Sequence, residues 1–258
     1  MKNWQENEAL VPEIIFKYRD WNRTFDKGII THGKIHFSKP STFGDYLDCN
    51  VPYRYDLLTP EYLYDYFYAY SKRCNKNFTK EQHIRFANLH TTETNLNKES
   101  FWDTHREKER KRLDEGVGIF CASRIHDNFN LWNKFANGEG GFCVGIDPNA
   151  IMNDERIAGI VADVEYYTLD NPPVIMPIRP TLEEERKDLM TLIFSLQAQW
   201  HKEKEIRFCK FNPIERTIEL PKDAIKVVYL AQTISSSIKS EIIQAAFKLN
   251  SKIEVIQM

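Results

Sequence analysis

The residues best suited to chemistry lie in a short charged segment late in the chain, WHKEKEIR over 200–207. Glu203 and Glu205 are two residues apart, and Arg207 follows at the same spacing. In an extended strand, side chains at this spacing lie on one side, so the two carboxylates would face a common site. Paired carboxylates can stabilise developing positive charge or bind a hard cation. A charged strand edge in contact with water is the structural alternative.

Other segments also mix aromatic side chains, charges and small hydroxyls at the ends of predicted strands. They are residues 17–20, 38 with 41–48, 123–124 and 130–132. Asp45 and Asp48 follow Gly44 in a loop, where carboxylates commonly accept hydrogen bonds from turn amides. A metal site at these two acids is the alternative interpretation. Arg124 is interpreted as a solvated strand end rather than a phosphate clamp.

Several familiar catalytic motifs are absent from the sequence. Residues 28–34 have the Gly and Lys spacing of a phosphate-binding loop, but Ile35 stands where a Ser or Thr must hold magnesium. No Gly-x-Ser-x-Gly segment anchors a hydrolase triad. The seven histidines form no obvious ligand set, and the five cysteines never have the two-residue gap of a zinc knuckle. We therefore expect no metal cofactor, and reduced thiols.

The overall composition limits the partners. The chain has 258 residues and a net charge of −2, so it has no broad basic field to hold nucleic acid by counterion release alone. Nucleic acid could still be a substrate in a local groove. No apolar run approaches the roughly 20 residues that span a bilayer. Residues 1–8 are polar where a signal peptide needs an apolar stretch. We expect a cytoplasmic protein with no membrane segment.

Hydrophobic periodicity predicts the elements that must position these residues. Strands are predicted at 33–38, 118–123, 141–146, 160–167, 205–211, 217–220 and 225–230, and a strand or helix turn at 13–20. Helices are predicted at 21–30, 130–136, 181–200 and near 237–249, and Thr181 with Glu184 forms a capping box.

Residues 60–115 have a different composition, with few breakers, many charges and a tyrosine-rich start. This pattern predicts two or three helices that form an insertion or lid. The tyrosines are interpreted as packing residues with surface hydroxyls rather than a stacking platform. Because strands and helices do not alternate regularly, the chain is predicted to be a single α+β domain over 1–258. It has a mixed or antiparallel sheet core and flanking helices.

Four segments carry a family resemblance: an aromatic-Tyr-Arg start at Tyr18 and Arg19, GKIHFSKPSTFGDYLD from residue 33, GIFCASRIHDNFNLWNKFANGEGGFCVGID from 118, and WHKEKEIRF from 200. Their order resembles a large bacterial family of unassigned function that is linked to abortive-infection and phage-defence gene neighbourhoods. The family pattern has Asn where Gly44 stands, Pro-Phe in place of residues 46–47, Phe in place of Ala122 and Tyr in place of Phe135. The resemblance implies a role in defence and a partner protein of a defence system.

A more distant resemblance implies a mechanism. Tyr18 and Arg19 near the first strand, a helix, a strand ending in a hydroxyl residue and a late Glu-x-Glu are together similar to the ADP-ribosyltransferase superfamily. Members of that superfamily bind NAD in a cleft between two small sheets. Departure of nicotinamide leaves an oxocarbenium-like ribose, which a carboxylate on the 2′-hydroxyl stabilises. The resemblance implies that Glu205 has this role and that Glu203 orients the acceptor.

The same resemblance implies which residues bind NAD as substrate. Arg19 would hold the pyrophosphate or ribose by charge-assisted hydrogen bonds. Tyr18 or Phe43 would stack on nicotinamide. The remaining predicted NAD-binding residues are Ser38, Asp45, Ser123 and Arg207. The acceptor stays open between protein, nucleic acid, a small molecule and water, and so does the oligomeric state.

Two other function classes remain as alternatives. A metal-dependent nuclease with the same defensive role would use Asp45, Asp48, Glu203 and Glu205 as ligands. A non-catalytic sensor or partner-binding module would recognise a protein through an aromatic surface. The sequence favours the NAD-consuming enzyme because Glu-x-Glu follows a long predicted helix at a strand start, and because no acid spacing typical of a nuclease stands out.

Overall fold

A computed structural model describes residues 4–5, 11–93, 99–136, 140–157 and 159–258, and the polar segment 1–8 lies outside these ranges apart from residues 4–5. The chain divides into two compact units. The sheet unit comprises Met1–Phe43, Leu113–Tyr166 and Ala198–Met258, and the helical unit comprises Gly44–Arg112 and Tyr167–Gln197. The helices predicted over 60–115 therefore account for only part of the helical unit.

The sheet unit is built on a mixed sheet. In chain order the described strands are β1 Trp4–Gln5, β2 Ile15–Asp20, β3 Lys34–His36, β4 Val117–Ser123, β5 Gly141–Ile146, β6 Gly159–Asp163, β7 Glu165–Tyr167, β8 Ser195–Gln197, β9 Glu205–Phe211, β10 Thr217–Glu219, β11 Ile225–Leu230 and β12 Glu254–Gln257. Eight of these form one sheet in the order β1-β6-β9-β4-β2-β5-β11-β12. The pairs β1–β6 and β11–β12 are parallel and the other neighbours are antiparallel.

The helices do not alternate regularly with the strands. They are α1 Thr24–His32, α2 Pro60–Cys74, α3 Lys80–Glu93, α4 Glu99–Gly116, α5 Phe129–Phe135, α6 Asn149–Met152, α7 Leu182–Phe194 and α8 Ser236–Leu249. The predicted α+β class with a mixed sheet is confirmed. The predicted capping box is also present, because the Thr181 hydroxyl accepts from the Glu184 backbone while the Glu184 carboxylate accepts from the Thr181 backbone. The prediction that this helix continues to residue 200 is wrong, since β8 follows α7 directly.

The core of the sheet unit follows from runs of apolar residues on its central strands. All six residues of β5 are buried, and β4 is buried at six of its seven positions. Ile30 of α1 and Ile242 of α8 are fully buried in the same apolar cluster. Gly118 of β4 is required sterically, because a Cβ atom there would lie 2.8 Å from the Cβ of Phe37. This close approach lets the segment after β3 pair with β4 at Ser38 and Ile119.

The helical unit contains α2, α3 and α7 together with residues 99–112 of α4. The Thr59 side chain caps α2 by accepting from the Tyr62 backbone amide, and Pro60 occupies the first turn. Where α2 packs on α3, the Ser71 hydroxyl and His83 Nδ1 are 2.8 Å apart, and both residues are buried. Within the described ranges, the helices are too short or too polar to cross a membrane.

Candidate functional site

Strand β4 changes its neighbour along one edge. The described ladder between β2 and β4 consists of a single pair, Phe16 with Ser123. Further along β4, Ile119 pairs with Ser38 instead, through reciprocal backbone hydrogen bonds of 2.8 and 2.9 Å. Between these two pairs, the edge of β4 has no backbone pairing with β2 in the described ladder, and side chains take its place. We call this stretch the β2–β4 gap.

Lys17 of β2 occupies this gap. Its ammonium group donates a hydrogen bond to the carbonyl oxygen of Cys121 and lies 5.2 Å from the centroid of the Phe120 ring. Burial lowers the pKa of Lys17 from 10.5 to about 8, and the neighbouring positive charge of Arg19 lowers it in the same direction. The carboxylate of Glu205 opposes this change. The gap therefore holds an amine that is easier to deprotonate than an ordinary lysine.

Glu205 and Arg207 form a buried ion pair on β9, the strand on the other side of β4. Arg207 Nε donates to Glu205 Oε1 at 2.6 Å, and the exposed fractions of the two residues are 0% and 9%. Burial alone raises the pKa of Glu205, but the charge and hydrogen bond of Arg207 outweigh it and leave the pKa below its usual value of 4.5. Glu205 is therefore an ionised carboxylate at neutral pH.

The surroundings of this ion pair come from three parts of the sheet unit. The β4–β9 register places Ser123 opposite Glu205 and Cys121 opposite Arg207. The Glu205 backbone amide donates to the hydroxyl of Tyr166 at 3.0 Å. The guanidinium carbon of Arg207 lies 5.5 Å from the centroid of the Phe43 ring. An aromatic ring, a thiol and a hydroxyl thus neighbour the two charges.

Arg19 of β2 makes a second ion pair. Its Nε atom lies 3.2 Å from Asp26 Oδ1 of α1, and Asp26 also accepts from the Asp20 backbone amide at 3.3 Å. Burial lowers the pKa of Arg19, which nevertheless remains cationic at neutral pH. Lys17, Arg19, Asp26, Glu205 and Arg207 are called the charge cluster below. Its three cations exceed its two carboxylates by one charge. The register places Arg19 and Glu205 on opposite faces of the sheet, and Lys17 is the member whose pKa both of these charges affect.

Most of the residues predicted to form a site lie around β4. Those on β2, β4, β9 or the 38–43 segment of the sheet unit are Tyr18, Arg19, Ser38, Phe43, Ser123, Glu205 and Arg207. Lys17, Cys121 and Tyr166 were not among the predicted site residues. Two sequence signals pointed to Lys17: its place in the mixed aromatic and charged segment 17–20, and its position between Phe16 and Tyr18 in a short strand.

Tyr18 is not brought together with Arg19, because neighbouring residues of a strand point to opposite faces. Its ring is buried and makes a T-shaped contact with Trp132, with centroids 5.4 Å apart. Its hydroxyl donates to the Ile125 carbonyl at 2.8 Å and accepts from the Asn128 amide at 3.2 Å. In this structure Tyr18 contacts α5 and the loop before it, while its predicted partner for NAD, Arg19, contacts α1.

The prediction that Glu203 and Glu205 share one side of an extended strand is wrong. Glu203 ends a 3-10 helix, Ala198–Glu203, and Lys204 has a positive φ of 46° before β9 begins. The turn is held by β4, because the Ser123 hydroxyl donates to the Glu203 carbonyl at 2.7 Å. The Glu203 carboxylate lies 3.0 Å from the ammonium of Lys134. The two acids therefore have different partners.

Asp45 lies in the helical unit, whereas the charge cluster is in the sheet unit. Its carboxylate accepts from the Leu47 amide at 2.9 Å and from the Gln197 side chain at 3.4 Å. The ring hydroxyl of Tyr167 has a raised pKa, first through burial and second through the negative charges of Asp45 and Asp48. Among the described residues, no three His, Cys, Asp or Glu side chains are grouped as metal ligands.

Comparison with known proteins found no relative of this chain. No protein-family model matches the chain, and neither a curated protein nor a solved structure does. The resemblances to a defence-linked family and to ADP-ribosyltransferases therefore stay predictions. The candidate site depends on the arrangement of charges around β4.

Proposed function

We propose that the protein is an NAD-consuming enzyme, an ADP-ribosyltransferase-like or NAD glycohydrolase effector in bacterial abortive infection, with Glu205 as its catalytic carboxylate. The observation that carries this proposal is an ionised, nearly buried carboxylate that the fold keeps beside two cations, Arg207 and Lys17. Such perturbed ionisable clusters are characteristic of functional sites. The excess positive charge suits a substrate with a pyrophosphate.

The reaction requires a fixed negative charge. When the bond between ribose C1′ and the nicotinamide nitrogen breaks, its electron pair leaves with neutral nicotinamide and C1′ becomes positively charged. Water or an acceptor then adds to C1′ and releases a proton. A carboxylate placed in advance stabilises the cation without reorganisation, which is the main source of electrostatic catalysis. Arg207 fixes the orientation of the Glu205 carboxylate and keeps it ionised.

Arg19 is the residue that supports substrate binding in this proposal. Its side chain is 18% exposed, compared with 0% for Arg207, so it is the more accessible of the two guanidinium groups. A guanidinium group binds pyrophosphate oxygens through two parallel hydrogen bonds. Phe43, beside Arg207, offers a ring for stacking on an aromatic base.

The test is release of nicotinamide from NAD by the full-length protein, with and without a cell lysate as a source of acceptors. We expect wild type to release nicotinamide and Glu205→Gln to lose at least roughly 100-fold in rate, the usual effect of removing one group that stabilises the transition state. Glu219→Gln is the matched control, because Glu219 is exposed at the end of β10. It should behave like wild type.

A second variant separates catalysis from folding. Loss of one partner of a buried ion pair destabilises a protein, whereas replacement of both charges is often neutral. Glu205→Gln/Arg207→Met should therefore regain stability and stay inactive. If this double variant regained both stability and nicotinamide release, the ion pair would have a structural role and no catalytic one. No release by wild type under either condition would contradict the proposal and favour the nuclease or binding-module hypotheses.

A further inference from the structure

A groove of about 490 Å³ lies within the sheet unit. Ile125 and residues 128–130 line it from one segment, and His201, Lys202 and Lys204 line it from another. Its volume is in the range of ligand-binding clefts. The described residues that line it include two lysines and none that is acidic, so the groove complements an anionic ligand.

The walls of this groove are fixed by hydrogen bonds between its two segments. The side-chain amide of Asn128 donates to the Lys202 carbonyl, and its oxygen accepts from the Asn130 backbone amide at 2.9 Å. The Ser123 hydroxyl holds the Glu203 carbonyl, as described above. Both Asn128 and Ser123 are buried. A groove held in this way is formed before a ligand arrives, which lowers the entropic cost of binding.

Lys204 has a backbone conformation that a residue other than glycine rarely adopts. Its φ is 46°, and its carbonyl accepts from the Arg124 amide at 3.0 Å. Such strain persists where the surrounding structure enforces it, and it is found preferentially at functional sites. The acidic neighbours along the two segments are Glu203, which lies 3.0 Å from the Lys134 ammonium, and Asp127, which is exposed.

Phe129 supplies an aromatic surface at the groove. It is the first residue of α5 and is 75% exposed, although it is a large apolar side chain. An exposed ring beside lysines offers two kinds of contact to a nucleotide chain. A base can stack on the ring while neighbouring phosphates meet the ammonium groups. The exposed amide of Asn130 is available for hydrogen bonds to a base edge.

We propose that this groove binds single-stranded nucleic acid, with phosphates at Lys202 and Lys204 and a base stacked on Phe129. An acidic peptide would use the two lysines but would gain nothing specific from the ring, so the combination favours nucleic acid. The site is local, in agreement with the near-neutral net charge of the chain. The inference depends on the groove alone and holds whether or not Glu205 is catalytic.

The experiment measures fluorescence anisotropy of a short labelled oligothymidylate titrated with the full-length protein. Lys202→Gln/Lys204→Gln should bind the probe at least roughly ten-fold more weakly. It should also lower the slope of log affinity against log salt by about 1.4, because each of the two phosphates that is no longer neutralised accounts for about 0.7. Phe129→Ala should weaken binding by roughly ten-fold, as removal of a stacking ring does.

Matched controls carry the same changes outside the groove. Lys248→Gln/Lys252→Gln removes two exposed lysines, and Phe247→Ala removes a ring that is 49% exposed. Both should bind the probe as wild type does. Competition by polyglutamate as effective as that by unlabelled oligothymidylate, with no effect of Phe129→Ala, would overturn the proposal in favour of an acidic protein partner. Absence of binding, or binding that all variants share, would also overturn it.

Discussion

Two ion pairs, one in each unit of the molecule, differ in how far they are buried. In the sheet unit, Glu205 and Arg207 form an ion pair with exposed fractions of 9% and 0%. In the helical unit, the ion pair of Arg112 with Glu185 has a similar distance, 2.9 Å, but its side chains are 68% and 43% exposed. In a buried pair, the free energy of desolvation is about as large as the attraction between the two charges. In an exposed pair, both the desolvation and the attraction are small.

This difference indicates why the charge cluster is a candidate site. A fold that needed only stability could place apolar side chains at the β9 positions, because such replacements are commonly neutral or stabilising. In the helical unit, the buried contact between α2 and α3 joins Ser71 to His83, a hydroxyl to a ring nitrogen. The same unit also buries one ion pair, Arg179 with Asp188, whose side chains are 8% and 17% exposed. Charge retained in the sheet interior therefore suggests a role in binding or chemistry.

The largest expected effect on stability is at the buried pair. Glu205→Gln should lower the free energy of unfolding by about 3 to 5 kcal/mol, because it leaves the Arg207 charge buried without its carboxylate. The double variant Glu205→Gln/Arg207→Met should recover most of this loss. Urea unfolding followed by circular dichroism measures both. A loss below about 1 kcal/mol in the single variant would show that water reaches the pair and would remove the contrast between the two ion pairs.

Lys17 is expected to make stability depend on pH. Its pKa is about 8 in the folded chain and 10.5 as the ordinary value, so the unfolded chain binds more protons between these pH values. The free energy of unfolding should therefore be highest above pH 10.5, where Lys17 is neutral in both states. It should fall by roughly 3 kcal/mol as the pH is lowered from 10.5 through 8. The measurement is the difference in unfolding free energy between wild type and Lys17→Met across this range. Taking the difference cancels the contributions of the tyrosines and cysteines that titrate in the same pH range. A difference that does not vary with pH would contradict the lowered pKa.

The smallest effects are expected in the helical unit. Ser71→Ala should cost about 1 kcal/mol, the usual value of a buried neutral hydrogen bond. Glu185→Gln, which removes the exposed partner of Arg112, should cost at most about 0.5 kcal/mol. Urea unfolding of both variants places them on the same scale as Glu205→Gln. A larger effect of Glu185→Gln than of Ser71→Ala would reverse the order that burial predicts.

Local sequence patterns predicted several elements with their bounds. The runs EIRFCKF and IKVVYL are dense in β-branched and aromatic residues, and they form β9 and β11 over the predicted residues. The start of α7 was predicted from Thr181 and Glu184, because a capping box involves only neighbouring residues. The end of α7 was not, since no glycine or proline marks residue 195 and β8 begins there.

The candidate site was predictable only in part, for the same reason. Arg19 and Glu205 were selected through their residue types and order in the chain, and both lie in the charge cluster. Glu203 was predicted to lie on the same side of a strand as Glu205, but a turn separates the two residues. That turn is held by the Ser123 hydroxyl, 80 positions away in the chain, so no local pattern shows it. Asp45 belongs to the helical unit, and its assignment to the site stays a prediction.

The sequence by itself determined the α+β class, most strands and which residues can carry charge, because these depend on nearest neighbours and side-chain chemistry. Tertiary structure alone decided which charges are buried and what they contact. Lys17 meets the Cys121 carbonyl across 104 residues of chain, and its pKa falls because strands distant in sequence exclude water from it. Desolvation depends on how atoms pack around a group in three dimensions, and the local sequence pattern carries no information about that packing.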